Sequence, residues 1–167
     1  MDKKKILLIA VVVIFMLALF VLTLKDEQHV EQMNGRLQLI LTSEKNQVKE
    51  GEMFEIYLNL SNTGNNTVNI WKMSEQISYD ISFYYPNRSE VPYVCGVIER
   101  PSLTNEFLVE LSPGDYIEST FSDSKCWNLE KGEYTLIAEY HTSVGEAITE
   151  PYWIGRVESN EIIIVVE

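Results

Sequence analysis

The sequence predicts an all-β fold, an antiparallel sandwich of seven to nine short strands that follows one N-terminal transmembrane helix. Three observations support this prediction. Apolar residues alternate with polar ones in many short segments after residue 36, turn-forming residues separate these segments, and no convincing amphipathic helix occurs outside the leading apolar run. Alternation with a period of two places one face of a strand on a core, and several short strands with regular turns are typical of sandwiches.

The segment LEKGEYTLIAEY, residues 129–140, shows the alternation most clearly. It joins a tight glycine turn to a strand in which every second residue is apolar. We expect one face of this strand to lie on the core and the other to point outward. The core face carries Tyr134, Leu136, Ala138 and Tyr140, and the outward face carries Thr135, Ile137, Glu139 and His141.

The same alternation predicts further strands at 37–41, 54–60, 67–71, 79–83, 107–111 and 116–121. Residues 61–66 (SNTGNN) and 112–115 (SPGD) have the composition of turns. The β-branched run at 161–166 is typical of a strand that is buried on both faces or central in a sheet. A short edge strand at 93–98 remains an open alternative.

Gly132 and Tyr134 resemble the tyrosine corner near the penultimate strand of immunoglobulin-like sandwiches. LSPGDYIESTF followed by KCWNLEKGEY is also similar to the strand order of such domains in membrane-anchored prokaryotic surface proteins and of BsuPI-type proteinase inhibitors. This resemblance covers residues 37–166 and implies that the Tyr134 ring is buried while its hydroxyl bonds to nearby main chain. Leu136 stands two residues after the tyrosine, where antibody-type domains have cysteine, so their intersheet disulfide is not expected. An ordinary turn before an ordinary strand is the alternative.

The leading apolar run predicts a membrane anchor. Residues 1–5 (MDKKK) carry three lysines, and the nineteen residues 6–24 contain no charge. At about 1.5 Å per residue this run spans about 28 Å, close to the roughly 30 Å core of a bilayer. A cleaved secretory signal is the alternative, but the run is longer than such signals have and its end lacks an A-x-A pattern.

The lysines also predict the orientation, because short loops rich in lysine stay cytoplasmic. Residues 1–5 are therefore expected in the cytoplasm, 6–24 in the membrane, 25–35 as a polar stalk, and 36–167 as a sandwich domain outside the cytoplasm. No cysteine follows the run closely enough to carry a lipid anchor. The sequence thus predicts a single-pass cell-membrane protein.

The domain is strongly acidic. Without residues 1–24 the chain has 10 basic and 24 acidic residues, a net charge of −14. Such a surface repels phosphate backbones, which excludes nucleic acid as the expected partner. It suits either simple solubility or a basic partner.

Cys95 and Cys126 are the two cysteines of the chain, and an oxidising compartment would let them form a disulfide. Closing a loop of this size would stabilise the fold by about 3.5 kcal/mol in the chain-entropy model. Two free thiols or a metal pair are the alternatives. A metal site needs three or four converging ligands, and the chain offers only His29, in the stalk, and His141 as imidazoles.

No catalytic constellation is predicted, and neither is a metal or cofactor. His141 lies on the outward face of its strand, without a nucleophile beside it in the sequence. The acidic residues lack the D-x-D-x-D-G pattern of calcium loops, and their closest group is Asp115, Glu118 and Asp123.

Two sets of residues are candidates for surface roles. Three N-x-S/T triplets could accept glycans, at Asn59, Asn65 and Asn87. Tyr84, Tyr85 and Trp153 are the aromatics most expected at the surface, where aromatics often anchor partners, although packing in the core is the alternative that composition favours.

Together these features predict a non-catalytic binding or structural module that meets a protein or cell-envelope partner. The alternative is a proteinase inhibitor acting through the 86–104 loop. A loop that protrudes would favour inhibition, whereas one that lies flat on the sheet would favour a structural module.

Overall fold

The computed structural model describes residues 36–99, 101–145 and 147–167, which belong to one compact unit. In these ranges no helix is long and apolar enough to cross a membrane. The predicted membrane segment at 6–24 and the stalk at 25–35 lie outside the described residues, so both stay predictions.

The described ranges contain ten strands and two short 3-10 turns. The strands are β1 (Leu37–Ser43), β2 (Gln47–Val48), β3 (Ile56–Asn62), β4 (Val68–Trp71), β5 (Tyr79–Tyr84), β6 (Leu108–Leu111), β7 (Tyr116–Phe121), β8 (Gly132–Thr142), β9 (Gly155–Glu158) and β10 (Ile162–Val166). The 3-10 turns are Asn105–Phe107 and Ser124–Cys126. The predicted all-β class is confirmed.

The strands form two main sheets. One has the order β1-β3-β7, and the other has the order β2-β10-β8-β5, with β9 paired to the far half of β8. All these pairs are antiparallel except β2 with β10. Taken in chain order, β1, β3 and β7 match strands A, B and E of an immunoglobulin-like sandwich, and β5, β8 and β10 match strands C, F and G. The fold is therefore an immunoglobulin-like β-sandwich.

The core lies between the two sheets. All four apolar residues predicted for the inner face of β8 are buried, as are Ile56, Leu58 and Leu60 of β3. Aromatic rings fill the space between the sheets, and the Phe83 ring lies 4.9 Å from that of Trp127. Alternation therefore identified the inner faces correctly, because a period of two sends every second side chain to the same side.

A third, two-stranded sheet pairs β4 with β6. The carbonyls on its outer edge accept hydrogen bonds from β8 and from the segment that follows it. The Tyr140 hydroxyl of β8 donates to the Trp71 carbonyl at 2.8 Å, and Trp153 N–H, between β8 and β9, donates to the Asn69 carbonyl at 2.8 Å. Tyr140 is fully buried, and this burial raises the pKa of its hydroxyl well above its ordinary value. The β4–β6 ribbon is thereby bound to β8.

One side chain joins the two main sheets. The amide of Asn160, between β9 and β10, accepts from Leu41 N–H at 2.9 Å and donates to the Leu41 carbonyl at 3.0 Å. Both groups of Leu41 lie on the outer edge of β1. The Asn160 amide therefore pairs with this edge much as a neighbouring strand would.

The strand prediction needs three corrections. β2 and β9 were not predicted, because β2 has only two residues and β9 (GRVE) has only one large apolar residue. Residues 93–98 form no strand and contribute only the bridge of Tyr93 with Trp127. The run at 161–166 is central, between β2 and β8, but it is not buried on both faces, since Ile163 is 42% exposed.

Candidate partner-binding surface

The two cysteines form the predicted disulfide. Cys95 and Cys126 are bonded, with their Cα atoms 5.0 Å apart, and Cys126 lies in the second 3-10 turn. The Asp123 carboxylate lies within 4.8 Å of both sulfurs. Metal binding by cysteine requires thiolates, and bonded sulfurs are not thiolates. The disulfide is confirmed and the metal-pair alternative is wrong.

The first part of the 86–104 loop lies against the body of the sandwich. Val91 is buried and its N–H donates to the Phe83 carbonyl at 2.7 Å. Val94 N–H donates to the Cys126 carbonyl, also at 2.7 Å. This part of the loop therefore continues the edge of β5 and does not protrude.

On the two sides of Cys95 the loop exposes an apolar tip, made of Val94, Val97 and Ile98. These residues are 54%, 88% and 45% exposed. Ile98 N–H donates to Gln76 Oε1 at 2.9 Å, which holds the tip beside the strand. A neighbouring group of exposed apolar side chains typically marks a site of interaction.

The tip borders an open hollow of about 330 Å³ on the outer side of β5. The Tyr93 and Trp127 rings line it with their centroids 5.0 Å apart. Carboxylates surround the rings, from Glu75, Asp80 and Glu90. Aromatic faces next to carboxylates suit a positively charged group.

The polar groups of this acidic hollow are already ordered. The Tyr93 hydroxyl donates to Glu75 Oε1 at 3.1 Å and accepts from Gln76 Nε2 at 2.8 Å. Burial, followed by the nearby Glu75 carboxylate, raises the pKa of Tyr93 above its ordinary value. Asp80 Oδ2 lies 3.0 Å from His141 Nε2. The Tyr93 hydroxyl is therefore held in place by two hydrogen bonds at the side of the hollow.

A second hollow, of about 490 Å³, lies at the end of the sandwich that holds the chain terminus at 167. Phe54, Leu129 and Val166 line it, with charges of both signs at its rim. One of its rim carboxylates, Glu52, is paired with Lys45 outside the hollow, at 2.9 Å. Its mixed charge selects no class of ligand as clearly as the acidic hollow does.

The corner residues lie at the start of β8. The Tyr134 ring is buried, and its hydroxyl donates to the Glu130 carbonyl at 2.9 Å. Burial, and then the neighbouring Tyr85, raises the pKa of Tyr134. Gly132 has a φ of +157°. This arrangement is the one that the resemblance to a tyrosine corner implies.

The predicted surface aromatics are mostly covered. Trp153 is 8% exposed and packs on Tyr140, with 6.0 Å between ring centroids, so its role as an exposed partner contact is wrong. Tyr84 and Tyr85 are half-buried, and Tyr85 packs on the Tyr134 ring. These rings are covered by residues that are distant in the sequence. The local sequence pattern therefore could not show that they are covered.

His141 lies on the predicted outer face of β8 but is not solvent-facing. Its side chain is only 14% exposed, next to Asp80. The three predicted carboxylates do not converge: Asp115 accepts from Ser112 N–H and Glu118 from the Asn59 amide. Within the described ranges the only cluster with metal-ligand geometry is the one at the disulfide.

The three glycosylation triplets occupy different settings. Asn65 is exposed in a turn, and Asn87 is exposed and accepts from Ser89 N–H at 3.0 Å. Asn59 is half-buried and donates to Glu118 at 3.3 Å. Glycosylation at these residues stays a prediction.

Sequence reasoning missed the acidic hollow. Its carboxylates, Glu75, Asp80 and Glu90, come from the turn before β5, from β5 itself and from the loop after it. The alternation in 79–83 places Asp80 on the outward face of β5. This was the only feature of the sequence that pointed to the hollow. Which loop residues return to that face depends on the disulfide.

No family model matches the chain, that of the BsuPI-type inhibitors included, and no curated protein is similar to it. Among solved structures the chain is similar to the CARDB domain of a protein from Pyrococcus furiosus, which was crystallised in complex with di-metal ions. The sequence identity is 15%, the TM-score is 0.42, and the match covers 79% of this chain and 93% of that one. The fold assignment rests on the strand order described above.

Proposed function

We propose that this protein is a membrane-tethered binding module outside the cytoplasm, which catalyses no reaction and holds a partner at the acidic hollow. The observation that carries the proposal is the disulfide-held apolar tip beside that hollow. Val97 is the most exposed large apolar residue of the described chain, at 88%. A large apolar side chain that is held exposed at a fixed position typically belongs to a surface that a partner molecule covers.

The disulfide supports a location outside the cytoplasm. Disulfides persist in oxidising compartments and are rare where thiols are kept reduced. The three lysines before the apolar run at 6–24 favour the same orientation. Added protease should therefore remove a C-terminal epitope from intact cells, and protection of that epitope until the membrane is opened would contradict the location.

The chemistry of the hollow favours a basic partner. Three carboxylates line it, and none of the described residues lining it is a lysine or arginine. The half-buried Tyr93 ring at the hollow offers an aromatic surface that a lysine or arginine side chain can contact. We therefore propose a protein or envelope component that presents a basic side chain next to an apolar one.

Capture of the partner tests this proposal. The full chain would be cross-linked in its own membrane, solubilised in detergent and recovered through the C-terminal epitope. Val97→Asp should reduce the captured partner about tenfold, because it places a charge in the apolar contact and adds to the negative rim. Val144→Asp is the matched control, since Val144 is 80% exposed in the loop after β8. Equal capture by both variants would contradict the proposal.

Proteinase inhibition through the 86–104 loop is less well supported. The first part of this loop is fixed to the body by Val91 and Val94, as shown above, and does not protrude as an inhibitory loop would. We expect the purified chain not to slow substrate cleavage by any protease in a panel of secreted proteases. Stoichiometric slowing of one protease, lost on reduction of the disulfide, would favour inhibition instead.

A further inference from the structure

Several edge strands of the main sheets are paired over part of their length. Asn160 pairs with β1, β2 pairs with β10, and the chain after β5 returns along it through the bridge of Tyr84 with Glu90 and the Val91–Phe83 hydrogen bond. β7 is also an edge strand, and β3 is its only partner strand in the described ranges. The preceding strand, β6, pairs with β4 instead.

The pairing identifies which main-chain groups of β7 face outward. Asn62 N–H donates to the Asp115 carbonyl at 3.0 Å, and hydrogen-bonded pairs recur every two residues along an antiparallel ladder. Positions 117, 119 and 121 therefore bond to β3. The N–H and carbonyl groups of Tyr116, Glu118 and Thr120 point away from it, and no other described residue bonds to them.

β7 also lacks most of the features that usually block an open edge, and Glu118 is its only charged residue. Its six residues contain no proline and no lysine, and its pairing with β3 continues from 116 to 121 without a bulge. An unblocked edge of this length is a template for an added strand. We propose that β7 binds an extended, basic segment of a partner protein by strand addition.

The outward side chains define the chemistry of that segment. Tyr116 is 58% exposed, Glu118 is exposed at the centre of the strand, and Thr120 is exposed beyond it. A strand added antiparallel would place one residue opposite each of them on the outer face. Charge complementarity selects lysine or arginine opposite Glu118. An aromatic residue suits the position opposite Tyr116, and a β-branched residue suits the position opposite Thr120.

A second copy of the chain fits this edge less well. Each copy carries a net charge of −12, so two copies repel. In the self-pairing register centred on Glu118, that carboxylate would face its own counterpart, and like charges directly opposite destabilise a pair of strands. The partner is therefore a different, basic chain.

A labelled peptide tests the proposal directly. The probe is fluorescein-tagged Thr-Val-Lys-Val-Tyr, capped at both ends and titrated against the full chain in detergent, with fluorescence anisotropy as the readout. Binding should weaken at least tenfold when alternate amides of the peptide are N-methylated, because this removes donors and keeps the side chains. Replacing its lysine by glutamate should also weaken binding.

Two substitutions examine the edge itself. Thr120→Pro removes an outward N–H that β3 does not use, and Thr120→Val is its matched control with the N–H retained. Only the proline variant should lose peptide binding, by about tenfold. Glu118→Lys should reverse the preference, so that the glutamate peptide binds more tightly than the lysine peptide. This second variant keeps the test decisive if the proline variant fails to fold.

Several outcomes would overturn strand addition. Equal binding of the N-methylated peptide, or peptide binding unchanged in both Thr120→Pro and Glu118→Lys, would refute it. A dimer in sedimentation experiments that Thr120→Pro abolishes would show that the edge binds a second copy instead. The inference does not depend on the acidic hollow, so Val97→Asp should leave peptide binding unchanged. A change with Val97→Asp alone would place the peptide in the hollow.

Discussion

Replacing Tyr140 by phenylalanine removes one oxygen atom from the middle of the core. That oxygen donates to the Trp71 carbonyl at 2.8 Å, and both residues are buried, at 0% and 4% exposure. The Trp71 carbonyl lies on the outer edge of β4, away from β6. Without the hydroxyl it loses this partner in a place that water does not reach.

The size of the effect follows from this burial. Leaving a buried acceptor without its partner costs about 1–3 kcal/mol, whereas an exposed acceptor can bind water and the loss is about 0.5–1.5 kcal/mol. Tyr134→Phe is the comparison, because the Tyr134 hydroxyl donates to Glu130, an exposed residue. We therefore expect Tyr140→Phe to destabilise the fold more than Tyr134→Phe does.

Thermal unfolding of the full chain in detergent measures the difference. One kcal/mol shifts the Tm of a domain of this size by roughly 3–5 °C. Tyr140→Phe should lower the Tm by about 3–15 °C. Tryptophan fluorescence and near-UV circular dichroism would report the unfolding. Tyr57→Phe is the control, since the Tyr57 hydroxyl bonds only to the exposed Glu55 carboxylate at 2.6 Å, and its Tm should be unchanged.

The ranking of the three variants is what the reasoning requires. If Tyr140→Phe melts within experimental error of the unmodified chain, the hydroxyl does not stabilise the β4–β6 ribbon. If Tyr134→Phe is the more damaging change, burial of the acceptor does not decide the cost.

Three further predictions concern other contacts. Asn160→Asp keeps an acceptor for Leu41 N–H but loses the donor to the Leu41 carbonyl, so the free energy of unfolding should fall by about 1–2 kcal/mol. An unchanged urea midpoint would contradict this prediction. Replacing Cys95 and Cys126 together by serine should cost about 3.5 kcal/mol by urea unfolding, and a loss below about 1 kcal/mol would refute the loop-closure account. Because the pKa of Tyr140 is raised in the folded state, its contribution to stability is fully present below its unfolded pKa of about 10 and is lost as pH rises further. The urea midpoint should therefore fall less steeply with pH above 10 in Tyr140→Phe than in the unmodified chain. Parallel plots of urea midpoint against pH for the two proteins would refute this prediction.

Local regularities were sufficient to identify the fold class and the core face of β8. Alternation over 132–142 places Leu136, Ala138 and Tyr140 on one side whatever lies opposite, because the period belongs to the extended backbone itself. The corner formed by Gly132 and Tyr134 is likewise local, since its hydrogen bond spans four residues. The disulfide was predictable because the chain has only two cysteines.

The candidate binding surfaces depend on the tertiary structure alone. Asn160 bonds to Leu41 across 119 positions, and Glu75 and Glu90 reach one hollow only because the loop after β5 turns back over it. The open edge of β7 exists because β6 pairs with β4. A strand's period tells which side chains face inward, but it does not tell which strand lies beside it, since main-chain donors and acceptors are the same in every strand. The sequence by itself therefore determined that a two-layer sandwich forms, and packing across long separations decided which of its surfaces a partner can reach.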